Sequence, residues 1–124
     1  MLPATYAPAS KAIIVKEGIV MKYGYGWEKL HTAVHSLAAS QTQKERLVNA
    51  LVFNLTHITP ENDLPEPMHE DFKNFISEMT SVEPKSDEGS YQATVNTLDQ
   101  IGVDRAIAKI IGFYDTVCRY SEPF

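Results

Sequence analysis

Glu28, His31 and His35 are the residues of this chain best spaced to do chemistry together. Steps of three and four place side chains along one shoulder of a helix, with Cβ atoms about 5–6 Å apart. Two imidazoles and a carboxylate suit a divalent transition metal such as zinc or iron, and His57 and His69 stand as further ligands. The Glu28-x-x-His31 spacing is also the one used by carboxylate-bridged di-iron bundles, and it recurs at Glu66-x-x-His69. Such a centre needs two more inward glutamates, whereas no partner glutamate falls on an apolar face. The second motif also straddles Pro67 at a helix start. A plainer reading competes and is stronger: histidines at the core boundary that bond to water or to neighbours.

The remaining reactive residue types read as structural. Tyr23, Tyr25 and Trp27 are spaced to stack on a sugar or base, yet a single-stranded nucleic acid needs positive charge beside the rings. Trp27 fits the apolar stripe of its helix, and the two tyrosines fit as packing between the N-terminal arm and the domain. Cys118 falls on an apolar helix face, where a thiol behaves as a small inert hydrophobe. Gly24-x-Gly26 lacks the third glycine and the preceding strand of a dinucleotide loop. No G-x-S-x-G elbow occurs. Glu61, Asp63, Glu66, Glu70 and Asp71 gather near a helix start, where the helix dipole favours negative charge.

The totals narrow the function further. The 124 residues make one domain with a core of its own. A net charge of −5, with the 11 basic residues scattered, disfavours nucleic acid and anionic membrane surfaces. The single cysteine points to a reducing compartment. The start lacks a basic signal-peptide region, and no apolar run approaches the roughly 20 residues of a membrane span. A cytoplasmic location is expected.

The elements that would position these residues follow from hydrophobic period. Residues 1–22 form an arm: Pro3 and Pro8 keep its start extended, and "AIIVKEGIVM" reads as a short hairpin turning at Lys16-Glu17-Gly18. Residues 23–124 form the helical domain, and from Gly26 the pattern becomes helical. Trp27, Leu30, Val34, Leu37 and Ala38 share one face of a first helix. Thr42 and Glu45 form a capping box that opens a second helix, carrying Leu47, Val48, Leu51, Val52, Leu55 and Ile58 and closed by Thr59-Pro60. Asp63 is the expected cap of the third, whose stripe is Met68, Phe72, Phe75, Ile76 and Met79. Residues 81–90 read as a mobile acidic loop. Tyr91, Val95 and Leu98 suggest a short helix ended by Gly102, although Tyr91, Ala93, Val95 and Thr97 also fit strand alternation. A last helix carries Val103, Ile107, Ile110, Ile111, Tyr114, Val117 and Cys118. The expected fold is all-α: a bundle of four main helices plus one short helix, with an extended or hairpin N-terminal arm.

Three aromatics do not fit those stripes. Phe53 sits nearly opposite the apolar arc of its helix, and Phe113 and Tyr120 flank the stripe of the last one. Either these helices are covered on two sides, or the aromatics form an interface of a two-fold homodimer. The stretch "WEKLHTAVHSLAAS…ERLVNALVFNLTHITPENDLPEPMHEDF", the acidic "DEG" loop and the final "IIGFYDTV" together resemble a group of short bacterial proteins without an assigned activity. That resemblance implies a bacterial cytosolic protein whose shared domain starts near Met21, and it carries no catalytic residue. The leading expectation is a non-enzymatic protein-interaction module acting as a homodimer through Phe53, Phe113 and Tyr120, with no cofactor. The alternative is a metal-dependent or small-ligand-binding protein centred on Glu28, His31 and His35.

Overall fold

The computed structural model describes residues 14–16 and 19–121. Two three-residue strands, Ile14–Lys16 (β1) and Ile19–Met21 (β2), pair antiparallel with Ile14 opposite Met21. The expected extended start at Pro3 and Pro8 lies outside the described residues, as do Glu17 and Gly18 of the expected turn, whose Lys16 instead ends β1. From Gly24 the architecture is all-helical. The helices are Gly24–Leu37 (α1), Gln43–Phe53 (α2), Pro60–Asp63 (α3), His69–Met79 (α4), Ser90–Asn96 (α5) and Gln100–Arg119 (α6).

Helix α2 begins as its sequence dictates. The Thr42 hydroxyl accepts from the Glu45 amide at 3.2 Å, and Glu45 Oε1 accepts from the Thr42 amide at 3.0 Å. Two donors that the first turn would leave unsatisfied are thereby closed. The α-helical ladder stops at Phe53, six residues short of the expected Thr59. A 3₁₀ turn over Leu55–His57 replaces it, and the tighter winding still returns Leu55 and Ile58 to the core. Pro60 then opens α3 at its first position, where a missing N–H costs nothing.

Asp63 is not the cap of the following helix. It closes α3, is fully buried, and its Oδ2 accepts from the Thr59 amide at 2.7 Å. Helix α1 rides directly on this turn, for a Cβ on Gly26 would strike the Asp63 carbonyl oxygen. The position therefore needs glycine for close approach.

The 81–90 segment holds a tight turn closed by one carboxylate. Glu88 accepts from the Lys85 amide at 3.0 Å, the Ser86 amide at 3.0 Å and the Ser86 hydroxyl at 2.6 Å. These bonds, the Ser86 hydroxyl first, bring its pKa down to about 2. The residues after the loop are helical, so strand alternation at Tyr91–Thr97 is set aside. Gly102 does not end α5. It lies in the first turn of α6, where its amide donates to the Asp99 cap at 2.8 Å.

One core joins these elements. Leu30, Leu47, Leu51, Leu55, Phe72, Val95, Val103, Ile110 and Val117 are almost wholly buried in it. Helix α1 packs against α2 and α6, while α5 lies against α2 and α4. The inner face of α6 is Val103, Ala106, Ile110, Phe113 and Val117. That face is turned by about 60°, at about 100° per residue, from the stripe read off the sequence. The cause lies on α4: Phe72 and Phe75 take Phe113 edge-on at 5.3 and 5.6 Å between ring centroids.

Candidate functional site

The α1 histidines meet α6 at one seam. His31 stacks on Trp27, with ring centroids 4.7 Å apart and planes 13° apart, and its Nδ1 is 3.0 Å from the Tyr114 hydroxyl. The His35 ring lies 4.6 Å from that of His31. Cys118 lies one turn further along α6. Burial, with the neighbouring His35, lowers the pKa of His31. Burial and then the Cys118 contact raise that of Tyr114. Both shifts favour the uncharged forms at neutral pH. The seam is thus a neutral, stacked joint between α1 and α6.

The expected metal ligands do not converge. His31 commits Nδ1 to Tyr114, and His35 lies at the exposed shoulder. His57 is exposed on the 3₁₀ turn, and the His69 Nε2–H donates to the Leu64 carbonyl at 2.7 Å. Glu28 Oε1 is buried with no hydrogen bond among the described residues. Among those residues no group of three or more His, Cys, Asp and Glu side chains is placed to hold a metal ion. A structural site needs about four such donors and a catalytic one three, and Glu28, His31 and His35 do not assemble such a group among the described residues. Tyr114 is the partner that sequence reasoning missed. It was read as a stripe residue, and nothing local signals a contact across 83 positions.

A cleft of about 670 Å³ opens on the other flank of α6, between α4, the 81–90 loop and α5. Its floor includes Phe75, Met79, Val82, Leu98 and Phe113, and Arg105 stands on its wall. The Lys109 ammonium spans it to reach both oxygens of Asp71 at 2.8 Å. No histidine or cysteine lines it, so the titratable seam and the cleft lie on opposite sides of one helix.

The expected interface aromatics separate. Phe113 is 5% exposed and belongs to the core, because α4 supplies two rings to receive it; it is withdrawn as a contact residue. Phe53 is 64% exposed and leaves α2 opposite Leu47 and Leu51, while Tyr120 is 47% exposed at the end of α6. Two residues join them: Ile101 at 69% and Ile111 at 47%, both on α6. Ile111 had been placed in the stripe.

A scan of protein-family models finds no match to the chain, and searches of curated proteins and of solved structures return no significant relative. Site residues therefore rest on this geometry. Among the described residues no helix is long and apolar enough to cross a membrane.

Proposed function

We propose that this chain is a non-enzymatic association module that works by pairing with a second copy of itself in the cytoplasm. One observation carries the reading. Among the described residues, three of the four large apolar side chains left exposed (Ile101, Ile111 and Tyr120, against Phe53) belong to α6 and its cap. Single exposed hydrophobes are ordinary, but Ile101 and Ile111 both leave the outer side of α6, about 80° apart at about 100° per residue, and that side is read as the contact surface; Tyr120 leaves the helix on another side. The net charge of −5 favours a protein partner over nucleic acid.

Native mass spectrometry of untagged protein, prepared without chelator, tests the reading because it reports subunits and bound ions together. A dimer without transition metal is expected. A monomer at every concentration tested would end the proposal. A stoichiometric metal lost on replacing His31 and His35 with alanine would move the function to those residues.

A further inference from the structure

Helix α6 has 20 residues, so it is about 30 Å long. Its inner face is spent on the core. At about 100° per residue, Ile101, Arg105, Ala108, Gly112, Asp115 and Arg119 fall within one outward arc of about 80°, with Asp104 and Ile111 on its border. All eight are exposed.

The charges of this arc suit a copy of itself. Arg105 makes no ion pair or hydrogen bond among the described residues. Arg119 engages Asp115 through Oδ2 alone, at 2.5 Å, which leaves its other carboxylate oxygen for a second cation. Arg105 and Asp115 stand five positions either side of Ile110, and Ala108 and Gly112 two positions either side. Two copies of α6 laid antiparallel about a two-fold axis level with Ile110 therefore set each Arg105 against the other copy's Asp115. The same register sets Ala108 against Gly112. A Cβ on Gly112 would meet nothing within 4 Å in its own chain, so that side is open to a neighbour's backbone. Ile101 comes to lie against the aliphatic stem of the other copy's Arg119.

Two other arrangements oppose like charges. A parallel pair opposes Arg105 to Arg105. A one-residue slip of the antiparallel pair brings Asp104 against Asp115, and like charges in contact select against both. Phe53 faces away from the core on a different helix, so an isologous contact through α6 leaves it outside.

Resting on the self-association reading above, we propose that the outer face of α6 is the two-fold seam of a homodimer. In it two α6 helices cross antiparallel between Ala108 and Gly112, level with Ile110 but on the opposite side of the helix, and Arg105 of each copy meets Asp115 of the other. The test is a charge exchange, Arg105→Glu and Asp115→Arg made separately, with folding checked by circular dichroism. Sedimentation then reads each variant alone and the two mixed. Each alone should dissociate at least about tenfold more readily than the wild type, since both of its contacts become repulsive. The mixture should recover a heterodimer of near wild-type affinity, since both contacts become attractive. Variants that pair as tightly as wild type would overturn the α6 seam and leave self-association standing. Loss of pairing with no recovery on mixing would overturn the Arg105–Asp115 register. A wild type monomeric at every concentration would overturn both.

Discussion

Two glycines in helices should respond to the same substitution with opposite signs. At Gly26, an alanine methyl would collide with the Asp63 carbonyl oxygen and sit 3.0 Å from Leu64 Cδ2 and 3.2 Å from the Asp63 carbonyl carbon. The obstacle is backbone in a buried turn that Asp63 and Thr59 already hold by a 2.7 Å bond, so it cannot swing aside as a surface side chain would. Overpacking of this kind costs about 1–3 kcal/mol. Alanine returns about 0.5–1 kcal/mol of helix preference. The net for Gly26→Ala is a loss of about 1–2 kcal/mol, which lowers Tm by about 4–8 °C in a domain of this size. At Gly112 the same methyl meets nothing within 4 Å, and the substitution should gain about 0.5–1 kcal/mol. Urea titrations of both variants, at dilutions where subunit exchange does not contribute, give the comparison with m unchanged. Gly26→Ala as stable as wild type would refute the close seating of α1 on α3. It would also remove the reason why the His31 seam is presented where it is.

Acid should weaken the α1–α6 joint. The folded-state pKa of His31 lies below the ordinary 6.5, mainly through burial, so the unfolded chain binds the proton more readily. The stability tied to a neutral His31 is complete above pH 6.5 and is lost as pH falls through the lowered folded value. Melting curves between pH 8 and 5 should show this slope in wild type and a shallower one in His31→Leu; equal slopes would contradict it. Phe113→Ala should cost about 3–5 kcal/mol, as truncation of a core aromatic does, while Phe53→Ala should stay within about 0.5 kcal/mol. Comparable losses for the two would undo the assignment of Phe113 to the core and Phe53 to the surface.

What the sequence revealed and what it hid divide along a physical line. Signals confined to one turn were legible: the Thr42–Glu45 box and the stripe of Phe72, Phe75 and Met79 appear where the chain places them. Period alone finds a greasy face but not which neighbour meets it. On α6, two adjacent arcs were both apolar, and only the rings of Phe72 and Phe75 on another helix decide that Phe113 turns in while Ile111 turns out. The end of α2 was missed because a 3₁₀ turn buries Leu55 and Ile58 almost as an α-helix would. The shared shoulder of His31 and His35 was readable from spacing, and their rings do meet at 4.6 Å. The phenol that claims His31 lies 83 residues away, beyond any local pattern.

Sedimentation equilibrium of untagged wild-type protein bears most directly on the claim that this chain works by pairing. Across a series from low to high micromolar concentration, the mass should climb from 13.9 kDa toward twice that value. A mass fixed at 13.9 kDa throughout would contradict it.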